Sequence, residues 1–102
     1  MSDTSKIARR QATILLDLIR RAEEANRQGQ PADATLSHWY REHREFGARD
    51  RRLFSETLFR WFRWRGWWLP ADTANDTRLS AGIAVSFLMD ADATIAPAIQ
   101  FL

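Results

Sequence analysis

The chain's 102 residues fit one domain with a modest core, and its 45% hydrophobic and 27% charged residues are ordinary for a globular protein. It has no cysteine, which excludes disulfides, thiolate metal sites and a cysteine nucleophile within this chain. The net charge of +2 is unevenly spread: residues 41–65 carry eight arginines against Glu42, Glu45, Asp50 and Glu56, whereas residues 69–102 set Arg78 against Asp72, Asp76, Asp90 and Asp92, so one basic face is expected.

With a single lysine in the chain, part of that arginine richness reflects a preference for Arg over Lys on solvated surfaces. The start, MSDTSKIARRQ, lacks an apolar stretch of signal-peptide length, and no apolar run is long enough to span a bilayer. The expected compartment is the cytoplasm, with no membrane partner.

No sustained alternation and no Asn-Gly or Asp-Gly turn marks a strand, whereas helical spacing recurs, so the expected class is all-α. A first helix is expected from about Ser5 to Gln28. Ala8, Ala12, Leu15, Leu18, Ile19 and Ala22 fall on one stripe, with Leu16 beside it and Arg9, Arg20 and Glu24 off it. Gly29 is a natural stop, and Pro31 prevents continuation. A second helix is expected to begin at Asp33 as N-cap, to bury Leu36, Trp39 and Tyr40, and to end at Gly47 with Phe46 folded back on it.

The third helix lies in residues 49–68, RDRRLFSETLFRWFRWRGWW, with six arginines and seven aromatics. Leu53, Phe54, Leu58, Trp61, Phe62, Trp64 and Trp68 span about half the circumference, which suits a helix packed on two sides. Arg49, Arg52, Arg60 and Arg63 fall on the remaining narrow stripe, with Glu56 among them. After the polar stretch PADTANDT, a fourth helix is expected over Thr77–Met89 with Leu79, Ile83, Phe87 and Leu88 inward. ATIAPAIQFL then reads as a short fifth, with Pro97 tolerable only near its first turn. The apolar ending, Phe101-Leu102, leads us to expect a fragment of a longer protein.

Chemistry-bearing sets are sparse. The four glycines are isolated and form no phosphate loop. His38 and His43 are five apart, poor spacing for a shared metal on one helix face. Ser55 and Ser80 lack a base and its orienter, and Asp90 and Asp92 read as solvated loop carboxylates. No catalytic residue, metal site or cofactor site is assigned, and this chain by itself is not expected to be an enzyme.

The tryptophans divide. Trp61, Trp64 and Trp68 share the apolar stripe and read as core. Trp67 lies off it, near the arginines, and suits surface packing or a domain contact, with stacking on an unpaired base as the other reading. The arginines divide too. Glu56 can join Arg63, Arg52 or Arg60 in an ion-pair network, but four arginines against one glutamate leave positive charge over for phosphate.

The run LSHWYREHREFGARDRRLFSETLFRWFRWRGWW resembles the N-terminal domain of RsmB/NOP-type RNA (cytosine-5)-methyltransferases, which has the fold of the antitermination factor NusB. The family's Asp-Arg, aliphatic stretch, Glu and helix-closing Arg read here as Asp50-Arg51, Leu53-Phe54, Glu56 and Arg63. IARRQATILLDLI looks like its first helix and ADATLSHWYRE like its second; residues 8–68 carry the likeness, residues 78–102 less of it.

The resemblance implies that residues 1–102 form a NusB-like antiparallel bundle of about five helices. It implies attachment to a catalytic domain, absent here, that uses S-adenosylmethionine. The expected function is non-catalytic positioning of structured rRNA, with Arg44, Arg49, Arg52, Arg60, Arg63 and Trp67 on the RNA and Asp50, Arg51 and Glu56 in a structural ion network. The alternative is a protein-interaction or antitermination-type module docking through surface Trp and Arg.

Overall fold

The computed structural model describes residues 3–64, 76–89 and 97–101, and all the regular structure in these residues is helical. The elements are α1 (Asp3–Arg27), α2 (Ala32–Glu42), α3 (Ala48–Trp64), α4 (Asp76–Met89) and a 3-10 helix (Pro97–Phe101). Each lies close to its expected position, and Pro97 opens the last one, where its missing N–H breaks no helical bond. Trp67, Trp68 and the Asp90/Asp92 pair lie outside the described residues.

Helix α1 is the spine. Its stripe of Ala8, Ala12, Leu15, Leu18, Ile19 and Ala22 is buried along its whole length, and α1 touches each of the other four elements. One core cluster joins Leu15, Leu18 and Ile19 to Leu36 and Trp39 of α2, Phe54, Leu58 and Trp61 of α3, Leu79 and Ile83 of α4, and Ala98 and Ile99 of the 3-10 helix. Burying each larger side chain contributes about 1.5–3 kcal/mol, so the packing of α1 rather than helix propensity holds the elements in place. Arg9 lies over the Phe101 ring, 4.5 Å from its centre, and pins the 3-10 helix to α1.

Helix α1 stops in a Schellman turn. The N–H of Gln30 donates to the Ala25 carbonyl (2.9 Å) and that of Gly29 to the Asn26 carbonyl (3.0 Å), with Gly29 at φ 88°. A side chain at that φ would be strained, so glycine is the residue that lets the helix end there.

Helix α2 differs from expectation at both ends. Pro31 is its N-cap, with no side-chain cap bond, and Asp33 sits inside the first turn, its carboxylate accepting from the Ala34 N–H (3.0 Å). The carboxylate still complements the helix dipole from there, so the acidic residue and its electrostatic role are right and its position is off by two. The helix ends at Glu42, with His43 as C-cap, and Gly47 instead precedes α3. Phe46 does fold back: its ring stacks on Trp39 (centroids 5.3 Å apart) and meets Phe54 edge-on at 5.1 Å.

Two contacts set the direction of α3. Gln11 donates to Asp50 (2.7 Å), and the Trp61 indole N–H donates to Glu23 (2.6 Å). Residue 11 to 23 is about 18 Å of helix and residue 50 to 61 about 16.5 Å. The matched spans require α1 and α3 to run side by side in the same direction, with α2 carrying the chain back.

Helix α4 corrects one expectation. Leu79 and Ile83 are fully buried, but Leu88 is 67% exposed. At 100° per residue Leu88 falls about 180° from Leu79, whereas Ser86 falls about 20° from it. Ser86 takes the inward place, its hydroxyl satisfied by the Gly82 carbonyl at 2.8 Å. Among the described residues no helix is long and apolar enough to cross a membrane.

Candidate nucleic-acid interface

The outer face of α3 follows from how its inner face is held. Phe54, Leu58 and Trp61 are fully buried, and the buried Thr57 hydroxyl donates to the Leu53 carbonyl (2.7 Å). Tyr40 clamps the other flank. Its hydroxyl donates to the Arg51 carbonyl (2.7 Å), so at 2.8 Å from Ser55 Oγ it must be the acceptor and Ser55 the donor. Burial raises the Tyr40 pKa above its ordinary 10.0, with the Ser55 hydrogen bond and the Arg51 charge opposing that rise.

With α3 fixed this way, Arg49, Arg52, Glu56 and Arg63 are exposed along one line, and Arg60 is half-buried on it. Glu56 sits at the middle of the line. One of its oxygens accepts from Arg52 Nε (3.1 Å) and the other lies 3.5 Å from Arg60. The two guanidiniums differ in setting: the Arg52 side chain is 81% exposed, that of Arg60 only 19%. The exposed Arg52–Glu56 pair is worth about 0.3–0.5 kcal/mol, too little to hold the helix.

The remaining sequence-predicted residues sit elsewhere. Arg44 is exposed in the α2–α3 turn, off the α3 line. Asp50 is taken up by Gln11, and the Arg51 guanidinium lies over the Tyr40 ring at 5.4 Å, so both tie α3 to its neighbours. Arg49 also borders a groove of about 430 Å³ between α1 and the start of α3. There Arg49 and Arg10 meet Glu45 and Asp50, so its charges cancel, which disfavours an anion. Glu45 is held below the usual carboxylate range by its own backbone N–H, with His43 and Arg10 adding to the effect. Among the described residues no three His, Asp or Glu side chains converge as a metal site would require.

One functional candidate was missed from sequence. Phe59 is 43% exposed and lines a shallow pocket of about 180 Å³ with Glu56, Arg60 and Arg63. The signal was present: on the helical wheel Phe59 lies about 20° from Arg52 and about 40° from Arg63, at the edge of the charged arc. Trp61, by contrast, is wholly inside, its N–H held by Glu23, itself 3% exposed. Nothing in the residue spacing reveals that pair, because its members are 38 positions apart. Comparison with protein-family models, curated proteins and solved structures finds no match to this chain.

Proposed function

We propose that the chain is a non-catalytic RNA-binding accessory domain whose α3 arginines hold the phosphates of structured RNA. The observation that carries this reading is the exposed line of Arg49, Arg52 and Arg63, with an exposed phenylalanine at its edge. Guanidinium–phosphate contacts fix position and register without reading sequence. On the resemblance described above, the domain is a NusB-like bundle in a cytoplasmic rRNA (cytosine-5) methyltransferase, and S-adenosylmethionine belongs to the attached catalytic domain. No residue of this chain is assigned to that cofactor.

The test is binding of an RNA hairpin by the intact chain across a salt series, before and after changing Arg49, Arg52 and Arg63 together to Glu. Each lost phosphate contact removes about 0.7–0.9 from the slope of log affinity against log salt, so the triple variant should flatten the slope by roughly 2–3. A folded triple variant with unchanged affinity and slope defeats the RNA reading.

A second reading rests on a different observation. Helix α4 turns Val85, Leu88 and Met89 outward on one face, and all three are exposed. That face suits a protein-interaction module, or an antitermination-type module, docking on a protein neighbour. If Leu88→Glu abolished partner binding while RNA binding stayed absent in the unaltered chain, this second reading would replace the first.

A further inference from the structure

The salt-bridged line on α3 has one component that phosphate binding does not use. Phe59 is a large apolar side chain held out among charges, 43% exposed, at the edge of the pocket formed with Glu56, Arg60 and Arg63. The core does not need it: the inward face of α3 is already filled by Phe54, Leu58 and Trp61. At 43% exposure the ring keeps apolar surface that a partner can cover.

What can cover it is limited by its neighbours. Arg52 follows the same line one side of Phe59 and Arg63 the other, and both are exposed. An occupant of this pocket meets the Arg60 and Arg63 side chains as well as the ring, so a partner that carries negative charge beside an apolar face suits it. A base entering with its phosphates would satisfy both the ring and the charges. Aromatic rings interleaved with arginines are the arrangement that binds unpaired nucleotides, with the base on the ring and the flanking phosphates on the guanidiniums. A base pair inside a duplex cannot use it, because both its faces are already stacked within the helix.

We infer that Phe59 is a stacking platform for an unpaired base, so that the α3 surface takes a single-stranded loop or bulge of RNA in preference to a continuous duplex. This rests on the RNA reading above and narrows it to a substrate class. Because every base has a π face, the platform selects for unpairedness and tolerates sequence. Glu56, paired with Arg52 and lying 3.5 Å from Arg60, forms part of the pocket's polar wall beside the ring.

The experiment compares two probes on the intact chain at one salt concentration: a short unstructured RNA oligonucleotide and a blunt RNA duplex of equal length. It uses Phe59→Leu, which keeps an apolar side chain but removes the ring, Phe59→Tyr, which restores a ring, and the arginine triple variant as reference. Circular dichroism and the thermal midpoint confirm that each variant is folded.

The expected result is that Phe59→Leu weakens binding of the unstructured RNA about ten-fold, leaves the duplex within about two-fold, and leaves the salt slope unchanged, while Phe59→Tyr binds like the parent. Equal loss on both probes, or no loss on either while the arginine variant loses both, overturns the platform and leaves the phosphate reading standing. If the parent chain binds neither probe at low salt, both fail together.

Discussion

Replacing Trp61 by Phe tests what holds the basic face outward. Trp61 is fully buried, and its indole N–H donates at 2.6 Å to Glu23, which is 3% exposed and lies on the neighbouring helix. A hydrogen bond to a charged acceptor is worth about 1.5–3 kcal/mol, and taking the donor away leaves a buried carboxylate oxygen short of that partner. The smaller ring adds a cavity, for which about 1 kcal/mol is a fair allowance. The expected cost is therefore about 3 kcal/mol, a large share of the roughly 5–15 kcal/mol available to a domain of this size. Urea unfolding should show a lower midpoint at constant slope, and the thermal midpoint should fall by roughly 12 °C or more. The double variant Trp61→Phe/Glu23→Leu makes both partners apolar and should recover part of the loss, so the two single costs should exceed the double by about 1–3 kcal/mol. Strict additivity, or a Trp61→Phe cost below about 1 kcal/mol, would refute the claim that this pair fastens α3 to α1.

Two further outcomes follow from the same packing. Ile83→Ala should cost about 2–5 kcal/mol and Leu88→Ala less than about 0.5 kcal/mol in urea unfolding, since one is sealed in the core and the other is 67% exposed. Tyr40→Phe should cost about 1 kcal/mol near neutral pH, through loss of the Arg51 and Ser55 hydrogen bonds. Because burial raises the Tyr40 pKa above 10.0, the folded state holds that proton more tightly: its contribution is intact below pH 10.0, is lost as pH rises through the folded value, and is missing from the Phe variant's alkaline limb. The chain has a single tyrosine, so ultraviolet titration of the phenolate reads this group directly.

The stripe on α1 was fully legible because all six of its small and aliphatic residues repeat at helical spacing over a long helix, and burial follows that period residue for residue. Helix α4 was legible as a helix but not in its facing. Apolar residues surround it, so composition could not tell Leu88 from Leu79, and the wheel angle alone separates them. The α2 ends depended on which of several polar residues capped the backbone, and Pro31 took the place that Asp33 would fill in a capped helix. At the candidate site the arginine line was readable, since it is a property of one helix. The residues that aim it were not: Gln11, Glu23 and Tyr40 act on α3 from other elements, and no spacing within α3 points to them.

Burial also decides which arginine can report on RNA. Arg60 lies on the same line as Arg52, but its side chain is 19% exposed against 81%, so its aliphatic stem is packed and its charge sits close against Glu56. Arg60→Glu would set a second carboxylate one turn from Glu56 in a partly desolvated position and should cost about 1–2 kcal/mol, whereas Arg52→Glu, in solvent, should stay within about 0.5 kcal/mol. A loss of RNA affinity in an Arg60 variant would therefore mix a displaced helix with a missing phosphate contact, which is why the charge reversal is placed at Arg49, Arg52 and Arg63. Thermal midpoints of the two single variants check this directly. If Arg60→Glu is as mild as Arg52→Glu, Arg60 is free to reorient, its stem is not packed, and it joins the phosphate-holding residues on equal terms.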